Sequence, residues 1–221
     1  MSDSENVHLV WLKRIRNLAG ILGMILPWVA LLGAVIVSKA NPGSIPSAYW
    51  EDFSISATYY LTPPLAGILT TAAIVLMCYK GYTLKDHIVT TISGVFGILI
   101  VVFPCRCAIA TEDMLVGFFQ LPVKISHIVH CTSAVLFFIL LAYNSIRLFT
   151  QTGNQNNMTD QKKIRNIVYR VCGIGMLCSM ALMVIPVPFF AKTFIVEAIA
   201  LTFFGISWLV KGGFLGILAD K

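Results

Sequence analysis

His127 and His130 stand three residues apart near the head of an apolar stretch, with Cys131 beside them and Ser126 and Ser133 in helical register. Positions three and four apart share one face of a helix, so these side chains, continued by Ala134, form a narrow polar stripe that must meet protein rather than lipid. With a helix beginning near Lys124, a rise of about 1.5 Å per residue sets both imidazoles roughly 5 to 10 Å below its outer boundary. Imidazoles so placed could act as general base, metal ligand or proton carrier.

Glu197 is the other outlier, a lone acidic residue within a late apolar run. A carboxylate facing lipid would cost on the order of 3 kcal/mol or more, so something must compensate it. The runs holding Glu197 and the histidines cross in the same direction and place these groups within about a turn in depth. The expected partner of Glu197 is therefore His127 or His130, with a protonated carboxyl as the alternative. Such a pair could equally be a structural clamp between helices.

Two metal chemistries can be weighed. A bis-histidine haem is disfavoured, because His87 opens its run at the opposite side from His127 and His130, and His8 lies in the N-terminal tail. A zinc site remains as a weak candidate built on His127, His130 and Glu197 with an outer carboxylate, Glu112 or Asp113. The spacing of the histidines is not the four-residue metalloprotease pattern.

Cys78, Cys172 and Cys178 read as buried thiols. Cys105, Cys107 and Cys131 collect on one side, where one disulfide could form with its pairing left open. A nucleophilic Cys paired with His130 lacks an orienting third group. Ser54 and Ser56 could supply a nucleophile only if their loop folds over the histidines; the simpler expectation is that they cap the second helix or its preamble.

The elements that must position these groups follow from composition. Of 221 residues, 57% are hydrophobic and 12% charged, with a mean hydropathy of +0.83; that is about half the charge of a soluble domain. The expected fold is all-α, a single polytopic membrane domain of six transmembrane helices near residues 18–38, 61–79, 87–104, 125–149, 167–185 and 193–210. The first run is longer than a signal-peptide core and reads as a retained anchor.

Lys13, Arg14, Arg16, Lys80, Lys85, Arg147, Lys162, Lys163, Arg165, Arg170, Lys211 and Lys221 fall on one side, against Lys39, Arg106, Lys124 and Lys192 on the other. That bias places both termini in the cytoplasm. The net charge of +6 then follows from topology and anionic headgroups, so no nucleic-acid partner is implied. "RIRNIVYR" reads as an inner-leaflet anchor, or as a phosphoinositide contact.

Residues 151–163 form a polar cytoplasmic connection whose Asn157 sequon faces away from glycosylation. Both outer loops exceed a linker: 41–60 is rich in aromatic residues, and an interfacial helix is expected near Glu112 to Gln120. Glycines in "GILG", "GVFG", "GIG" and "GGFLG" should seat helices closely, Pro27 should bend the first helix and "PVP" should end the fifth.

The "SIS" of Ser54, Ile55 and Ser56, the third run ending in Phe103 and Pro104, "HIVHCTSAVLFF", and Glu197 with Trp208 together resemble the Frag1/DRAM/Sfk1 and DUF998 group of six-span membrane proteins. The resemblance implies a role in membrane-lipid remodelling or distribution and a site at Ser54 to Ser56, His127 or His130, and Glu197. The two close histidines and the "CRC" segment depart from that pattern.

The expected function is an outer-leaflet polar pocket that engages a membrane lipid or lipid-linked molecule, as sensor, remodelling factor or modifying enzyme. The alternatives are a small proton-coupled transporter and a non-catalytic membrane adaptor. The apolar middle of the fourth run, "AVLFFILLA", argues against a continuous proton path.

Overall fold

The computed structural model describes residues 3–81, 83–151, 158–186, 189–216 and 218, without the side chains of 3–6, 8, 9 and 215. Asn157 of the sequon, most of its polar connection, part of "PVP", Lys221 and the side chain of His8 lie outside the described residues. Seven α-helices are described: α1 (Asp3–Ala40), α2 (Ser47–Glu51), α3 (Pro64–Cys78), α4 (Leu84–Val102), α5 (Val123–Tyr143), α6 (Asp160–Val184) and α7 (Lys192–Gly212). A 3-10 turn, Ser56–Tyr60, precedes α3, and a π turn, Asn144–Leu148, prolongs α5.

All but α2 close into a ring in which α1 packs on α3, α3 on α4, α4 on α5, α5 on α6, α6 on α7 and α7 again on α1. Among the described residues five segments are long and apolar enough to cross a membrane: Val10–Ala40, Leu84–Val102, Val123–Leu148, Asp160–Val184 and Lys192–Gly212. This is the character of an integral multi-pass membrane protein. The remaining expected span, 61–79, corresponds to α3, whose 15 residues rise only about 22 Å, short of a hydrocarbon core of about 30 Å.

The bundle is apolar outside as well as inside. Ile21, Ile25, Trp28, Leu32 and Ile36 make one exposed stripe along α1, and Ile164, Ile167, Val171 and Ile174 do so along α6. Such stripes suit hydrocarbon rather than water. The interior instead buries Thr90, Ser93, Ser126, Ser133, Asn144, Ser145 and Ser207 among Leu, Phe and Trp side chains. Ser145 and Ser207 share a hydrogen bond of 2.6 Å between α5 and α7.

Local chemistry sets the helix limits. Thr83 and Asp86 form a reciprocal capping box at the start of α4, with bonds of 3.2 and 2.9 Å. Thr159 caps α6, which ends at Val184, ahead of Pro186. α1 continues through Pro27. The glycines do seat helices: a methyl on Gly20 would lie 2.9 Å from the Gly205 carbonyl oxygen and 2.7 Å from Leu209 Cγ, so α1 and α7 could not meet as they do.

The segment expected to be an interfacial helix is a β-hairpin, with Leu115–Val116 antiparallel to Leu121–Pro122. Gly117 (φ 73°) and Gln120 (φ 49°) both adopt left-handed backbone, closing a turn that a helix cannot contain. Gly117 also sits under Val102, whose carbonyl accepts from Phe118 N–H. The apolar residues that suggested a helix are displayed instead on the hairpin, with Phe118 and Phe119 exposed and Phe119 stacked on Phe103.

The bundle therefore has two unlike ends. One, the loop end, carries residues 41–63, 103–122, 185–186 and 189–191; the other, the cationic end, carries Arg16, Tyr79, Lys162 and Lys211.

Candidate functional site

Residues 51–56 lie across the first turns of α7 and are sewn to it. Ala191 N–H donates to Glu51 O at 3.2 Å, and Phe194 N–H donates to Phe53 O at 3.0 Å. Both donors belong to the turn where a helix has no carbonyls of its own to offer. Ala191 itself is left-handed (φ 49°), a strained state for alanine that this bond helps to hold.

One turn further, the donation reverses. Glu197 Oε2 accepts from Ile55 N–H at 2.6 Å, and Oε1 accepts from Ser56 Oγ at 3.0 Å. Glu197 thus stands at the N-terminus of the Ser56–Tyr60 turn, where backbone N–H groups favour negative charge. Ser54 Oγ accepts from Ala57 N–H at 2.9 Å within the same turn, as a cap does. The expected bond from Glu197 to His127 or His130 is corrected: the carboxylate is held by a backbone amide and a serine.

The histidines serve other partners. His130 is buried, and its Nδ1 lies 3.0 Å from Ile100 O and 2.8 Å from Phe103 O at the end of α4. Facing two carbonyls, that nitrogen must carry the proton and donate. With Ser126 Oγ donating to Pro104 O at 2.8 Å, it ties α5 to the carbonyls α4 leaves open.

His127 is half-buried and turns sideways. Its Nδ1 accepts from Arg106 N–H at 3.2 Å, and Cys131 Sγ lies 3.6 and 3.7 Å from its two nitrogens. Since Nδ1 is the acceptor, the neutral ring carries its proton on Nε2 and has no spare lone pair with which to act as base. The thiol beside a histidine is thus Cys131 at His127, not at His130.

The remaining acids do not join this group. Glu112 pairs with Arg106 at 3.1 Å on the exposed surface, and Asp113 lies in the exposed turn beside it. Among the described residues no three of His, Cys, Asp and Glu converge to hold a metal ion, so the zinc set of His127, His130, Glu197 and Glu112 or Asp113 does not assemble. His87 lies at the cationic end, its Nδ1 3.3 Å from Tyr79 O.

All six cysteines are free thiols, with Cys105 buried, Cys107 half-buried and Cys131 exposed. Burial pushes the Cys105 thiol well above its usual range, and the negative charge of Glu197 adds to the effect. Cys105 and Glu197 thus lie near enough at this end of the bundle for their charges to interact. Tyr60 O–H, donating to Cys105 O at 2.8 Å, links the two loops.

Below Glu197 the ring encloses a narrow cavity of about 50 Å³. Leu26, Leu65, Leu69, Ile100, Phe137 and Leu201 give its apolar wall, while Ser56 and Glu197 are the polar side chains that line it. A polar end over an apolar body suits an amphiphile.

Sequence reading missed a second buried polar group at the cationic end. Arg16 is buried and donates from Nε and Nη2 to Tyr79 O–H at 3.2 and 3.0 Å, with its guanidinium 5.4 Å from the Tyr79 ring. Lys211 Nζ donates to Phe149 O at 3.2 Å and lies over the Phe149 and Tyr169 rings. Tyr79 and Trp208, edge to face at 5.2 Å, were the available signal.

No family model, curated protein or solved structure matches the chain.

Proposed function

We propose that this protein is a six-span integral membrane protein whose loop end faces outward, with both termini cytoplasmic, and that the Glu197 cavity engages a lipid or lipid-linked molecule. Of the 15 described Lys and Arg residues, 11 lie toward the other end, in keeping with that orientation. For the span expected at 61–79, the 3-10 turn that precedes α3, with its five residues, would contribute about 10 Å more.

The observation that carries the lipid reading is the cavity: Glu197 and Ser56 supply its polar end, and five helices supply its apolar wall. At about 50 Å³ it takes the tip of a chain rather than its length. The resemblance to the Frag1/DRAM/Sfk1 and DUF998 group agrees with this, since Ser54 to Ser56 and Glu197 are among its matching positions. The apolar wall favours a lipid contact over a proton relay, which needs polar groups along the path.

The test is lipid retained by the purified full-length chain, measured by mass spectrometry. The unmodified protein should carry phospholipid or a lipid-linked species, and Glu197→Gln, which keeps an acceptor for Ile55 N–H, should stay folded while losing it. Full lipid retention by folded Glu197→Gln and Ser56→Ala would reduce the site to a helix clamp.

A further inference from the structure

A second concavity, of about 650 Å³, opens at the loop end between α2 and the start of α7. Ala48, Glu51, Asp52, Phe189, Phe190 and Lys192 line it. Its chemistry differs from that of the Glu197 cavity. Glu51 and Asp52 are adjacent and exposed, and neither belongs to the ion pairs of the described residues. Phe189 and Phe190 expose their rings beside them.

Lys192 does not neutralise these acids. Its ammonium turns toward Met183 O and Ile185 O, carbonyls at the end of α6. Two of its three donors are thus occupied, and one cation remains at the rim of a pocket that is otherwise anionic and aromatic. Carboxylates with aromatic faces form the standard surroundings of an alkylammonium group, which is attracted both by full charge and by the ring quadrupole.

The position argues for an ammonium carried on a lipid. Phe190 is exposed in its lining, and Val184 and Ile185, beside the carbonyls that Lys192 reaches, are exposed at the end of α6, so the pocket opens where hydrocarbon would give way to headgroups. Lys192 adds the opposite charge that a neighbouring phosphate requires. We propose that this pocket binds the alkylammonium end of a zwitterionic phospholipid headgroup, choline or ethanolamine. The proposal rests on the loop end lying at a membrane surface, as in the preceding section. It also bears on Glu197, because Glu51 O holds Ala191 N–H at the start of the same helix.

The experiment is native mass spectrometry of the detergent-purified full chain, titrated with phosphatidylcholine, phosphatidylethanolamine and phosphatidylglycerol of identical acyl chains, with soluble phosphocholine as a fourth probe. The two ammonium lipids should be retained roughly fivefold over phosphatidylglycerol, the scale of an exposed cation–π contact with added charge. The double variant Glu51→Gln with Asp52→Asn, and separately Phe190→Leu, should bring that ratio near unity with unchanged thermal unfolding; all three side chains are exposed. Glu197→Gln should keep the preference in whatever lipid it still binds.

Lipid retained without headgroup preference overturns this proposal and leaves the Glu197 reading standing, as does a preference that survives the double variant. Phosphocholine binding as tightly as the whole lipid overturns the lipid assignment. No lipid retained by any form overturns both readings.

Discussion

The two ends of the bundle hold unlike buried groups by different means. At the loop end a carboxylate takes a backbone amide and a serine hydroxyl, Ile55 N–H and Ser56 Oγ. At the cationic end Arg16 and Lys211 lie on aromatic rings and donate to a phenol and to carbonyls. The side-chain ion pairs among the described residues, Arg106 with Glu112 and Lys163 with Asp160, are both exposed. Backbone groups hold the acid at one end, and aromatic rings with a phenol and carbonyls contribute to holding the bases at the other.

The difference has a mechanical side. The Ile55 amide cannot rotate away from a lost partner, whereas the Tyr79 hydroxyl can. Glu197→Leu should therefore be the most damaging single change, at about 3 kcal/mol, the scale of a buried donor left unsatisfied together with a lost charged hydrogen bond. Thermal unfolding in detergent, followed by tryptophan fluorescence, measures it. Arg16→Met should cost less, about 2 kcal/mol, because its stem still packs, Tyr79 O–H can turn, and its bond to a fixed carbonyl, Lys211 O, is a long one of 3.4 Å. A larger loss for Arg16→Met than for Glu197→Leu breaks the contrast between fixed and rotatable partners.

Ser207→Ala belongs to neither end and should cost about 1 kcal/mol, the net value of one neutral hydrogen bond to Ser145. An effect as large as that of Glu197→Leu would show the core, and not its ends, to be the sensitive region. The smallest signal is chemical. Cys105 is buried and its thiol pushed up, so less thiolate forms at a given pH. Maleimide at pH 8 should label it about tenfold more slowly than half-buried Cys107, since only the thiolate reacts. Equal rates would show that the space beneath the two loops opens readily.

Apolar runs were the legible part of the fold. Each of the six begins or ends within a few residues of a described helix, apart from α1 and α6, which extend further at the cationic end. Pattern alone could not read the hairpin, because "LVGFFQLPV" is apolar without helical period and its turn depends on the left-handed Gln120. At the site, the polar outliers were visible and their partners were not. His130, Ser126 and Glu197 were all picked out by type, yet each bonds backbone of a distant segment, and every residue carries the same backbone. Arg16 was hidden for a related reason: a basic residue at the end of an apolar run reads as a headgroup contact until its tyrosine is found.

Ring closure has a consequence for assembly. α1 and α7 form their seam through Gly20 and Gly205, 185 positions apart in the chain (205 − 20 = 185). The small-residue face of α1 therefore waits in the bilayer through the synthesis of all the intervening helices before its partner arrives. The carboxylate of Glu197 travels on α7 and reaches Ile55 only as the ring shuts. A chain stalled before α7 displays an unmatched glycine seam, and the bonds of Glu197 to Ile55 and Ser56 form only with closure.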